Sequence, residues 1–157
     1  MTSEESFARY EAIKAEEYPF HDRDNAEWKA FHDDPEVRAE IGHRYTVWRE
    51  NKTRRENEAI SALIPRVGLP CTMYFHSDRR AATVVEVISP KKVAVRYNQV
   101  RCIEYYAGDY EILPELEGGE HIFTKRTNGK WILEGQHSKD GIRLLLHYQD
   151  HYIDPHY

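Results

Sequence analysis

The chain has 157 residues, 31 % of them charged, with 22 Lys/Arg against 27 Asp/Glu and a net charge of −5. That length suffices for one domain with a core, or for a helical arm beside a small domain. No apolar run could span a bilayer, Met1 is followed by acidic residues rather than a basic-then-apolar leader, and two cysteines are too few for a disulfide framework. The expectation is a cytoplasmic protein without a membrane segment, with Cys71 and Cys102 as small buried hydrophobes in strands.

Residues 1–67 hold 11 Lys/Arg against 15 Asp/Glu, and residues 68–157 hold 11 against 12. The first, more acidic part reads as a helical arm. Thr2 and Glu5 have capping-box spacing, and Phe7, Tyr10 and Ile13 follow at helical intervals, which predicts a helix over 3–17 that Pro19 ends. Asp24 can cap a short second helix with Glu27 in its first turn and Trp28 and Phe31 along it. Asp34-Pro35-Glu36 is a stronger start signal, a capping carboxylate before Pro at the first helical position. Val37, Ile41, Tyr45 and Trp48 then form a one-face stripe. Residues 51–58 hold nothing apolar, and Ala59, Ile60, Leu63 and Ile64 restore the stripe before Pro65. Because no Pro or Gly interrupts residues 43–64, one helix with a polar turn in solvent is predicted.

Gly68-Leu69-Pro70 marks the passage into a β domain, so the expected division is 1–67 helical arm and 68–157 small antiparallel domain. Strands are predicted over 71–75, 82–88, 92–98, 101–106, 110–113 and 142–147, from short β-branched and aromatic runs between turn residues. His76 to Arg80 reads as a polar turn, and 114–120 as an acidic loop carrying Gly118-Gly119. A three-residue loop, Ser89-Pro90-Lys91, would pair Val85 with Val95 and Val87 with Val93, placing both apolar sets on one face. Asn128-Gly129 predicts a two-residue type I′ hairpin that pairs Arg126 with Trp131 in a cation–π stack. The last ten residues form an aromatic, His-rich tail expected to pack on the sheet. The fold class is α+β: an N-terminal helical arm of two to three helices, then a small half-open antiparallel barrel of SH3-like type. The alternative is one curved sheet with helix 37–64 across a face.

Ser77-Asp78-Arg79 with Thr83-Val84-Val85-Glu86-Val87, then Phe123-Thr124-Lys125-Arg126-Thr127-Asn128-Gly129-Lys130-Trp131, and finally Asp154-Pro155-His156-Tyr157, resemble a group of small uncharacterised proteins of bacteriophages and mobile elements. The resemblance covers about residues 68–157 and leaves the helical arm unmatched. It implies provenance, not mechanism. The first stretch also looks like the opening of Tudor- and KOW-type barrels, which bind nucleic acids or protein tails.

Neither nucleophile nor phosphate-loop motifs occur: there is no Gly-x-Ser-x-Gly, no Cys beside a base and no glycine-rich phosphate cradle. His147, His151 and His156 with Asp150 and Asp154 lack recognised ligand spacing. The expectation is therefore a non-enzymatic chain without cofactor or metal. Two binding readings remain. In the first, the chain engages a protein partner, with Lys52, Arg54 and Arg55 meeting an acidic surface and Trp28 and Trp48 as anchors. Provenance and acidity together point there to an inhibitor of a host defence nuclease, of anti-CRISPR type. In the second, Arg79, Arg80, Lys91, Lys92, Arg96 and Arg101 grip a nucleic-acid backbone while neighbouring tyrosines stack on bases.

Overall fold

The computed structural model describes residues 1–19 and 33–156, and the expected helix bearing Trp28 and Phe31 lies outside them. The chain divides into two compact units, Glu4–Leu63 and a second comprising Met1–Ser3 with Ile64–Tyr157.

The first unit is built on α1 (Ser3–Lys14) and α2 (Pro35–Ser61). Asp34 caps α2 as its sequence suggests: the carboxylate accepts from the backbone N–H of Glu36 at 2.9 Å, and Pro35 occupies a position whose N–H would have no helical partner. The helix runs unbroken for 27 residues through the polar stretch 51–58. Tyr10 and Ile13 of α1 are buried with Ala59 and Leu63, and Phe7 and Ile60 pack against them. The apolar positions of α1 and the set at 59–63 are thus halves of one small core, which the Val37, Ile41, Tyr45 and Trp48 stripe does not join.

The second unit is a single antiparallel sheet of six strands: β1 (Pro70–Tyr74), β2 (Arg79–Ser89), β3 (Lys92–Glu104), β4 (Asp109–Lys125), β5 (Trp131–Leu133) and β6 (Arg143–Leu146). Each strand pairs with the next, and β6 returns to β1 with Cys71 opposite Leu146 and Met73 opposite Leu144. The expected half-open sheet is therefore closed into a ring. Phe123, Met73, Ile132, Val84, Val93 and Val95 are the largest of its fully buried apolar side chains.

Several local expectations need correction. Arg79 and Arg80 lie in β2 opposite Tyr74 and Met73, not in a turn. Val87 faces Val93 as expected, but Val95 faces Val84, because the β2–β3 ladder slips between Val84 and Glu86. Such a bulge lets one strand carry an extra residue without turning its apolar set outward. Around Asn128-Gly129, Gly129 N donates to Arg126 O at 2.9 Å and Arg126 N to Lys130 O at 2.8 Å. Gly129 has φ 81° while Asn128 is not left-handed, so this is a three-residue loop with a glycine bulge and not a type I′ turn. Lys125, not Arg126, then faces Trp131. Arg126 donates instead to Gln136 O at 2.8 Å and Thr124 Oγ1 at 2.9 Å.

The largest correction concerns 98–120. No loop occupies 114–120; β3 and β4 continue as a long hairpin whose register slips between Val95 and Tyr97 and again between Asn98 and Val100. At each slip β4 carries extra residues, Gly118-Gly119 in the first and Pro114 in the second, residue types that tolerate or cause a broken ladder. A β3 side chain takes a carbonyl in each bulge: Arg96 Nε donates to Gly118 O at 2.9 Å, and Asn98 Nδ2 to Leu113 O at 2.8 Å.

Beyond Tyr97 opposite Ala82, β3 parts from β2. The C-terminal tail fills the gap, as its aromatic content suggested it would pack on the sheet. His147 makes the reversal out of β6 with φ 67°. Gln149 Nε2 then donates to Ala82 O at 2.9 Å and to Asn98 Oδ1 at 3.0 Å, and Tyr152 exchanges two backbone bonds with Arg79 at 2.8 Å each. Buried Thr72 donates to Tyr148 O at 2.6 Å and accepts from Asp150 N at 3.0 Å. Asn98, also buried, accepts from Thr83 Oγ1 at 2.8 Å as well as from Gln149, so one amide joins β2, β3, β4 and the tail.

Replacing Asn98 with Leu leaves the Leu113 carbonyl and the Gln149 amide short of partners in a buried site. Urea titration should show a loss of about 2–4 kcal/mol, the range for stranded buried polar groups acting together.

Candidate functional site

The helical candidates are largely occupied within their own unit. Lys52 Nζ donates to Lys14 O at 3.0 Å and Glu16 O at 2.7 Å, supplying partners for carbonyls at the end of α1. Arg55 forks onto Glu16 at 2.9 and 2.5 Å, which lowers the carboxyl pKa of Glu16 and raises that of Arg55, chiefly through the hydrogen bonds themselves. Arg54 pairs with Glu58 at 2.9 Å, one turn along α2. Trp48 is half-buried, with Tyr18 edge-on at 5.3 Å and the Lys52 ammonium 5.4 Å from its ring. Trp28 lies outside the described residues. Lys52 and Arg55 thus hold α1 against α2, a role invisible in sequence because their partners are distant along the chain. Changing Lys52 to Gln should speed amide hydrogen exchange across the last turn of α1 while leaving the middle of α2 unchanged.

The six basic residues of the nucleic-acid reading do not form one open patch. Arg79 pairs with Asp150 at 2.9 Å and lies over the Tyr152 ring at 5.1 Å. Lys92 pairs with Glu134 at 2.7 Å, Arg101 pairs with Glu111, and Arg96 is bound to its bulge carbonyl. Arg80 sits between the rings of Phe75 and Tyr97, at 5.8 and 5.3 Å. Lys91, beside Lys125, is exposed.

What sequence reading missed is the outer half of the β3–β4 hairpin. Beyond Asn98 these strands pair with each other alone among the six, so they form a two-stranded ribbon. Residues 99–120 hold one Arg and six Asp/Glu, a net charge equal to that of the whole chain. The rest of 68–157 holds ten Lys/Arg against six acids, so the near-neutral total conceals an acidic ribbon on a basic body. At its tip Ile103 and Tyr106 are 58 % and 76 % exposed, with Tyr105 beside Tyr106 at 5.5 Å between ring centres. Cys102 is exposed here as well, against the expectation of burial, because no further strand covers the ribbon. Cys71, inside the ring, is fully buried, and burial pushes its thiol pKa up, so it stays protonated. The signal that could have revealed the ribbon was the alternation of acids with Tyr, Ile and Leu at 109–112, which resumes at 115–117 beyond Leu113-Pro114.

The tail supports the ribbon. His151 meets Tyr110 edge-on at 4.8 Å, and a Cβ on Gly108 (φ 66°) would come within 2.7 Å of the Tyr152 ring. His151 Nδ1 is buried without a hydrogen bond among the described residues. Its pKa is lowered, first by burial and then by Arg80, with Asp150, Asp78 and Glu117 opposing. A depressed imidazole resists a proton that the unfolded chain accepts, so stability should be fully present above the unfolded value of 6.5 and decline as pH falls below it, until the folded group also titrates. His151→Gln should flatten that acid limb in denaturation midpoints measured from pH 8 to 5, relative to the parent chain.

Among the described residues no helix is long and apolar enough to cross a membrane. No protein-family model matches the chain, and no curated protein or solved structure is detectably similar to it.

Proposed function

We propose that this protein is a non-enzymatic binding module whose acidic, aromatic ribbon docks onto the basic surface of a protein partner, and that it acts as an inhibitor of a host defence nuclease of anti-CRISPR type. The observation that carries this reading is the coincidence, on residues 99–120, of the chain's full net charge with the exposed side chains Ile103, Tyr105 and Tyr106. Carboxylates speed and orient the approach to a positive surface, while tyrosines and an isoleucine provide area that gains free energy once desolvated. Nucleases offer such a surface because they must neutralise phosphates. The resemblance of residues 68–157 to phage and mobile-element proteins supports the provenance this role needs. The contact surface moves from the helical arm, where Lys52 and Arg55 have internal partners, to the ribbon.

The test uses purified RNA-guided nucleases, with DNA cleavage and direct binding measured at about 0.05 M and about 0.5 M salt, on either side of effective screening. The intact chain should inhibit at low salt and weaken at least tenfold at high salt. Ile103→Ser with Tyr106→Ser, and separately Glu104→Gln with Glu115→Gln, should each remove most of the inhibition with the fold intact by circular dichroism. If both double variants inhibit like the parent, the ribbon is not the contact surface. Tight binding of the parent to duplex DNA alone would return the basic-face reading to the front.

A further inference from the structure

A second feature lies elsewhere on the ring. The ends of β1 and β6, β5 and the loop 135–142 enclose a hollow of about 390 Å³ whose lining includes His76, Lys130, Ser138, Lys139, Asp140 and Arg143. Elsewhere on the described ring Arg79, Lys92 and Arg101 are matched to carboxylates. Here Lys130, Lys139 and Arg143 line one hollow with no ion pair among the described residues, and Asp140, the one acid in the lining, bonds to none of them. Three cations against one carboxylate in a concave site repel one another unless an anion sits among them.

The surroundings hold these groups in place. Arg143 is fixed in β6 between Tyr74 and Ile132, and its guanidinium lies 5.6 Å from the Tyr74 ring centre. The loop carrying Ser138 and Lys139 is pressed onto β5: a Cβ at Gly141 would fall 2.6 Å from Ile132 Cγ2 and 2.7 Å from His137 O. Gly141 N donates to His137 O at 2.8 Å, Lys139 N to His137 Nδ1 at 3.1 Å, and Ile142 N to Gln136 Oε1 at 2.7 Å. Lys139 therefore rises from a tightly bonded turn rather than a loose one.

We propose that this hollow binds a small phosphomonoester, its dianionic phosphate held by Lys130, Lys139 and Arg143. A phosphate offers the charge and the several acceptor oxygens that two ammonium groups and a guanidinium can share. The volume exceeds that of bare phosphate and falls within the range of small-molecule sites, so an organic group accompanies it. Tyr74, Phe75 and Ile132 supply the apolar wall for that group. The site is independent of the ribbon and uses none of its residues.

Backbone amide NMR titrations of the full chain with AMP, inorganic phosphate and adenosine test the assignment. AMP should saturate with a Kd of about 1 mM or tighter, shifting amides of residues 130, 138–143 and 74–76, while phosphate binds the same residues more weakly and adenosine does not bind. Lys130→Gln with Lys139→Gln should weaken AMP at least tenfold, and Arg79→Gln should leave it unchanged. Adenosine binding as well as AMP, phosphate matching AMP, shifts mapping elsewhere, or a double variant that binds normally would each overturn the proposal. Because both lysines are exposed, the double variant keeps its fold, which its unshifted core amides would verify.

Discussion

One buried amide decides the shape of the ring unit. Asn98 stands where β3 leaves β2, and a sheet that splits must find partners for the backbone groups it exposes. Asn98 bonds three ways at that fork: to Thr83 on the strand it leaves, to Leu113 in the bulge of the strand it keeps, and to Gln149 of the tail that enters the gap. With its amide nitrogen and oxygen both engaged, a polar core residue ties the junction together and adds specificity of arrangement to the apolar interior. Thr72 does the same on the other side of the tail, joining β1 to Tyr148 and Asp150.

The ribbon depends on that junction. Because the tail takes the place beside β2 that β3 vacates, the hairpin can continue outward with its own bulges satisfied by Arg96 and Asn98. The charge distribution follows the same division, with acids on the ribbon and a surplus of bases on the body. On the body Arg79 and Lys92 are matched to carboxylates, while Lys130, Lys139 and Arg143 line one hollow. The two proposed sites thus use opposite signs of charge on one small unit.

Local chemistry was readable and distant chemistry was not. Asp34-Pro35 announced its helix because capping acts within three residues, and the absence of Pro or Gly from 43–64 pointed to one helix through the polar stretch. The positions of β1 and β6 followed from short apolar runs, and β5 only from the Asn128-Gly129 turn signal before it. Pro114 and Gly118-Gly119 were read as a loop, since the same residues that end strands also populate bulges, and only the pairing partner distinguishes the two. Register within the β2–β3 hairpin was half right for the same reason: Val87 sits before the slip and Val84 beyond it. Ring closure rests on Cys71 facing Leu146, a contact no local pattern encodes. Of the candidate binding residues, Lys52, Arg55, Arg79, Lys92 and Arg101 looked free only because their acceptors lie elsewhere in the chain, and the ribbon's acids drew no attention while they were counted as a loop.

The tail's position between β2 and β3 also constrains how the protein is made. The ring cannot close until β6 and residues 149–152 have left the ribosome, since β1 has no second neighbour and β2 no lateral cover before then. The unit Glu4–Leu63 contains a core of its own, so it can fold while the rest is still being translated. During that interval β1 and β2 present open hydrogen-bonding edges, the arrangement that favours pairing with other chains. Pairings that join the two ends of a long segment are slow to find, so this waiting period is built into the topology.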